Sequence, residues 1–174
     1  MNLRNIGALA GVLLGMGASA AYAQSETECV SAKTAWSVCV WPQPKECWGV
    51  SKPTETVNSR DGKVVSVRRG DIMMFVTFRP GTGAKGEISF TGGYPLAPGA
   101  PVKLDVDGTA FDLFAEGEWA WPSSASDDDA LLLAMKKGAT AVVTARSARG
   151  TQTKDTFSLQ GFTAAMADAE TRCK

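Results

Sequence analysis

The sequence predicts a mainly β domain, a β-sandwich carrying two short helices, one of them at the C-terminus. Three observations carry this. Short segments alternate apolar and polar residues with the period of a strand, most clearly Val102, Leu104 and Val106 between Lys103, Asp105 and Asp107. Asp107-Gly108 follows at once, a dipeptide that favours a two-residue hairpin. Two segments, 126–137 and 161–173, switch to helical spacing. Many short strands with only two helices fit a sandwich with helical additions.

The elements follow in order. Thr34 to Trp41 sets Trp36, Val38 and Val40 on one face, and Lys63 to Arg68 is a second candidate strand. Ile72 to Phe78 is almost continuously apolar, the pattern of a strand buried on both sides, and Arg79-Pro80-Gly81 ends it. Glu87 to Phe90 alternates, with Ile88 and Phe90 facing one way. Thr109 to Phe114 returns from the Asp107-Gly108 turn, and Thr140 to Arg149 pairs with Thr151 to Leu159 about Gly150. Ser126 is expected to cap the first helix. Asp127, Asp128 and Asp129 fill its first turn, where the dipole favours anions, and Lys136, Lys137 and Gly138 mark its end. Leu131, Leu132 and Met135 supply its inward face. Phe162, Ala165, Met166, Ala169 and Cys173 form the apolar stripe of the second helix.

The N-terminus has the three parts of a secretory signal: Arg4, an uncharged run from Ile6 to Ala21, and a small-x-small exit at Ala21-Tyr22-Ala23. Residues 1–23 are therefore expected to be removed, leaving 24–174 as a single domain. No Cys follows the cut and Arg4 stands alone, so the general secretory route is expected rather than lipidation or twin-arginine export. A periplasmic home is expected, with the cell surface and secretion as open alternatives. No later segment is apolar enough to span a membrane.

Lys and Arg number 18 and so do Asp and Glu, with no basic stripe, which argues against nucleic acid as a partner. The chain has no His, which excludes Ser-His-Asp and Cys-His catalysis and zinc sites built on His. A Ser-x-x-Lys pair is absent too. No catalytic residue, cofactor site or metal ligand is assigned. Four cysteines, Cys29, Cys39, Cys47 and Cys173, read as two disulfides in an exported chain. Three pairings are open. Cys39–Cys47 with Cys29–Cys173 is favoured, because Pro42 and Pro44 suit a short loop. A zinc site is disfavoured by the missing Cys-x-x-Cys pair.

Four motifs need a decision. Gly81 to Gly86 matches GxGxxG but precedes a strand rather than a helix, so it reads as a hairpin loop. Asp105-x-Asp107-Gly108 could open a calcium loop, but Ala115 stands where the closing Glu is needed. Arg69-Gly70-Asp71 spells a tripeptide that some host receptors recognise, which makes Arg69 and Asp71 candidate contacts. Five Trp are many for this length. Trp36, Trp41 and Trp48 are expected to pack around the Cys39–Cys47 bridge. Trp119 and Trp121, two apart in Glu118-Trp119-Ala120-Trp121-Pro122, would face the same way in an extended segment, either into the core, which is favoured, or outward as a surface for sugar or peptide.

The chain resembles the invasion-associated locus B family of exported bacterial proteins. The resemblance rests on Trp36-x-x-Cys39, Met73 to Pro80 (MMFVTFRP), Glu87 to Leu96 (EISFTGGYPL) and Phe111 to Trp121 (FDLFAEGEWAW). Leu131 to Gly138 and Ser147 to Cys173 complete it, the last being the most specific. It implies an immunoglobulin-like β-sandwich, a periplasmic or surface home, and no catalytic residues to carry over. The function expected is a non-enzymatic envelope interaction protein whose partner is a protein or glycan of the envelope or host. The alternatives are a surface adhesin and a glycan hydrolase using carboxylates such as Glu116 or Glu118.

Overall fold

The structure is a computed structural model, and it describes residues 28–174. The expected signal segment and its cleavage point lie outside the described residues. Twelve strands and two helices follow in chain order: β1 (Glu28–Lys33), β2 (Trp36–Pro42), β3 (Lys45–Ser51), β4 (Glu55–Arg60), β5 (Lys63–Val64), β6 (Met73–Arg79), β7 (Ala84–Thr91), β8 (Val102–Val106), β9 (Thr109–Glu116), β10 (Trp119–Trp121), α1 (Ala125–Lys137), β11 (Thr140–Arg146), β12 (Gln152–Ser158) and α2 (Phe162–Arg172). The expected class, mainly β with two helices and one of them C-terminal, is what the chain forms.

The strands make one antiparallel run in the order β1-β2-β3-β6-β7-β10-β9-β8-β11-β12-β4-β5. β9 joins the two halves, pairing with β10 on one side and β8 on the other. The halves share one core: Phe90 of β7 meets Phe157 of β12 edge-on at 6.2 Å, and the buried residues of both belong to one cluster. A single sheet whose halves face each other is compatible with a sandwich.

Inward residues follow period two. Met74, Val76 and Phe78 of β6, Ile88 and Phe90 of β7, and Val102, Leu104 and Val106 of β8 are all buried. β6 was expected to be buried on both sides, yet Met73, Phe75 and Arg79 are only half-buried because their face looks outward. The Lys63 to Arg68 strand shrinks to Lys63–Val64 at the edge, beside β4 alone.

Helix α2 covers the inner face of β2 and β3. Phe162 meets Trp36 edge-on at 4.9 Å, and the Trp36 indole N–H donates to the Ser158 carbonyl at 3.0 Å. Gly49 permits this approach, since a Cβ there would lie 2.1 Å from Met166 Cε. Gly161 starts the helix at φ +84°, and a Cβ there would lie 2.0 Å from the Lys33 carbonyl oxygen. Helix α1 is capped by Ser124, not by the expected Ser126. The Ser124 hydroxyl accepts from the Asp127 N–H at 3.2 Å and donates to the Asp127 carboxylate at 2.7 Å. Asp128 accepts the Ile88 N–H at 2.8 Å and so ties α1 to β7. Burial raises the Asp128 pKa, the Ile88 N–H opposes that rise, and Glu87, Asp129 and Asp127 add to it.

The disulfides are Cys29–Cys39 and Cys47–Cys173, which corrects the favoured pairing. The reason is register. Val40 pairs with Cys47 and Cys39 with Trp48, so Cys39 and Cys47 sit one step apart and point to opposite faces of the hairpin. Cys29 lies directly across from Cys39 on β1. Cys47 faces inward, where it meets Cys173 at the end of α2. Trp36, Trp41 and Trp48 accordingly do not gather round one bridge: Trp36 is in the core, Trp48 is half-buried, and Trp41 donates to the Gln43 carbonyl at 2.9 Å.

Cys47–Cys173 spans 126 residues and Cys29–Cys39 spans 10. In the chain-entropy model the longer loop is worth about 5 kcal/mol and the shorter about 3. Cys173→Ser is therefore expected to lower the denaturation midpoint more than Cys29→Ser. Equal midpoints would mean that the long bridge does not constrain the unfolded chain.

Asp168 ties α2 to β1. It accepts from the Ser31 hydroxyl at 2.5 Å and the Arg172 guanidinium at 2.8 Å, with Lys33 at 3.8 Å. The Ser31 bond above all, then Arg172 and Lys33, lowers its pKa against desolvation. A depressed carboxylate stabilises fully above its unfolded pKa of about 3.9, and that contribution is lost as pH falls through the folded value. Asp168→Asn should thus be less stable than the parent at neutral pH and converge with it in acid. Urea midpoints that stay separated by the same amount at every pH would contradict this.

Candidate functional site

The outward face of the first half of the sheet carries an aromatic surface. β10 runs extended, so Ala120 is buried and Trp119 and Trp121 both lie on the outer side. Trp121 pairs in register with Phe114 of β9, and their rings stack at 6.4 Å and 25°. Trp119 pairs with Thr91 of β7 and its ring lies 5.7 Å from Phe75 of β6. Trp48 of β3 is opposite Thr77 of β6 and joins the same surface. Together Trp48, Phe75, Trp119 and Trp121 line a shallow depression of about 360 Å³ with Ser89 and Thr77. Phe114 beside it is 56% exposed and Trp119 39%.

One end of this depression is charged. The Arg79 guanidinium donates to Glu46 through Nε at 2.5 Å and to Glu87 through a second nitrogen. Three strands, β3, β6 and β7, thus place two carboxylates about one fixed cation. Glu116 and Glu118 do not join them. Glu116 is exposed across from Trp119, and Glu118, in the tight turn between β9 and β10, lines a different cleft.

Arg69 takes another course. Its side chain is only 6% exposed and forms a bidentate pair with the fully buried Asp155 at 2.7 and 2.6 Å. Two of its remaining N–H groups donate to the Gly92 carbonyl and to Asn58 Oδ1, and its guanidinium lies 4.9 Å over the Tyr94 ring. The Tyr94 hydroxyl is 2.5 Å from Thr153 Oγ1, and burial raises its pKa. Arg69 as a receptor contact is therefore corrected: desolvated β12 carboxylate, not surface exposure, explains this arginine. Asp71 is exposed and stands apart from the aromatic surface. The other acidic motifs are structural too. Asp107 accepts from the Ala139 and Thr140 N–H groups, and Asp105 from that of Gly108.

The sequence singled out Trp119 and Trp121 but missed Trp48, Phe75 and Phe114. The signal for Trp48 was its alternation with Cys47 and Gly49. Phe75 was hidden inside a run read as buried on both sides.

The family model described as invasion associated locus B (IalB) protein matches residues 36–170, well over half of the chain. The chain belongs to the invasion associated locus B family. No curated protein and no solved structure matches it. Membership makes this an invasion-associated, envelope-associated exported protein, and two disulfides fit an oxidising compartment. Among the described residues no helix is long and apolar enough to cross a membrane.

The buried Arg69–Asp155 pair sets a stability expectation. Arg69→Ala should cost about 3–5 kcal/mol by leaving Asp155 buried and unpaired. Arg69→Met combined with Asp155→Leu should recover much of it. A melt showing Arg69→Ala as stable as the parent would contradict the pairing.

Proposed function

We propose that this invasion associated locus B protein is a non-enzymatic binding module of the periplasm, and that it holds a glycan strand across the aromatic outer face of its sheet. The observation that supports this reading is the row formed by exposed Trp119 and half-buried Trp48, Phe75 and Trp121 along one depression of the outer face. Aromatic side chains gathered at a surface beside polar groups are a common form of binding surface. Flat rings fixed on adjacent strands suit the apolar faces of sugar rings, and the Tyr and Trp type of side chain contributes large contact area at low entropic cost. The Glu46–Arg79–Glu87 group at the end adds oriented donors and acceptors for hydroxyls.

The same group argues for binding over hydrolysis. Glycoside hydrolysis requires one carboxyl group to deliver a proton and a second to act across the bond. Glu46 and Glu87 are both engaged by one guanidinium, and Glu116 and Glu118 serve different surfaces.

The test uses soluble glycan strands released from peptidoglycan, followed by intrinsic tryptophan fluorescence. Saturable quenching is expected in the parent. Trp119→Ala and Trp121→Ala should each weaken binding about tenfold, the scale of losing one well-packed aromatic contact, without shifting the melting temperature. Binding that survives both substitutions would remove the aromatic face as the site. Cleavage of the strands by the parent would remove the non-enzymatic reading.

A further inference from the structure

A second cleft, of about 450 Å³, is independent of the aromatic face. Its floor is Arg69, Tyr94 and Thr153, with Arg69 neutralised from behind by the fully buried Asp155. Gly70 and Gly93 close that floor: the Gly70 N–H donates to the Gly93 carbonyl at 2.8 Å, and a Cβ on Gly93 would lie 2.6 Å from the Gly70 backbone.

The rim is not neutral. Arg60, Arg68 and Arg149 line the cleft and are exposed, and among the described residues no carboxylate lies within ion-pair distance of any of them. Arg60 spends one N–H on Thr151 Oγ1 at 2.8 Å, which orients its guanidinium and leaves its other donors free. Glu118 is the one carboxylate in the lining, and it too is unpaired. In a chain with 18 positive and 18 negative side chains, three unpaired guanidiniums at one mouth are a local excess of positive charge.

Three elements supply these arginines: the end of β4, the connection from β5 to β6, and the turn between β11 and β12. They converge because β12 pairs with β4 and with β11. Guanidiniums present planar forks that match tetrahedral oxyanions, and three of them suit a dianion better than a single carboxylate.

We propose that this cleft binds a phosphate group, held by Arg60, Arg68 and Arg149 above a floor whose Arg69 is neutralised by Asp155. Val67, Pro95 and the Tyr94 ring form walls for the less polar part of the phosphate-bearing ligand. Glu118 opposes a simple anion and tunes the site towards ligands that also carry a donor.

The experiment is a titration of the folded, oxidised protein with inorganic phosphate, followed by amide and arginine Nε–H NMR shifts. Shifts are expected to concentrate at residues 60, 68, 93–95 and 147–151. Arg68→Gln and Arg149→Gln should each weaken binding about fivefold, as expected for loss of one exposed charge-assisted hydrogen bond. Glu118→Gln should tighten it. Lys103→Gln, on the exposed face of β8, is the control and should change nothing. Sedimentation with phosphatidylglycerol vesicles separates the sources of the group: Arg149-dependent pelleting identifies a lipid headgroup, and phosphate shifts without pelleting identify a soluble phosphate ester. Shifts spread over the surface, or a phosphate affinity indifferent to all three cleft substitutions, would overturn the proposal.

Discussion

Helix α2 is held to the first half of the sheet in three ways at once. Its stripe of Phe162, Ala165, Met166 and Ala169 is buried against β2 and β3, Asp168 reaches β1, and Cys173 is bonded to Cys47. The second half of the sheet covers β7, as the Phe90–Phe157 contact records, but β2 and β3 get their cover from this helix. Met166 comes so close to β3 that no side chain fits at Gly49. β3 accordingly turns Cys47, Gly49 and Ser51 inward while its larger Trp48 and Val50 look out. The same alternation that turns Gly49 towards α2 places Trp48 on the outer face, where it joins the aromatic surface.

Polar chemistry inside the second half is handled differently. Asp155 sits in the middle of β12, where an uncompensated carboxylate would be costly. The chain brings Arg69 to it from outside the sheet, and the glycine contact between Gly70 and Gly93 lets that segment come close enough. The arrangement neutralises the interior and at the same time leaves the neighbouring arginines without carboxylate partners. Interior neutrality and rim charge arise from the same local crossing of chains.

Much of this fold is legible in the residues. β8 and β9 are plain because strict alternation and Asp107-Gly108 agree, and α2 is plain because its stripe is complete. β1, β3 and β4 were not read as strands. Glu55–Arg60 is mostly polar, Glu28–Lys33 is half polar with no alternation, and both lie near the sheet's edges, so neither shows the apolar period that marks a half-buried strand. Lys45–Ser51 does alternate, but with Gly49 and Ser51 as inward residues the period does not show in hydropathy. The disulfide pairing was hidden for a related reason. Closeness in sequence favours Cys39 with Cys47, while the face each occupies depends on a register that sequence spacing alone does not supply. The site was half legible: Trp119 and Trp121 are visible as a pair, but their partners come from strands far away in the chain.

The order of the cysteines along the chain has a consequence for how the molecule is made. Synthesis and export run from the N-terminus, so Cys29, Cys39 and Cys47 reach an oxidising compartment before Cys173 does. During that interval three thiols compete for one bond, and Cys47 has no native partner until 126 further residues arrive. Early oxidation of Cys29 with Cys39 protects the register of the first hairpin, whereas early capture of Cys47 by either neighbour blocks the docking of the last helix until the bond is exchanged. Each molecule in which Cys47 is captured early then needs thiol–disulfide exchange, not only oxidising power, to reach the native pairing.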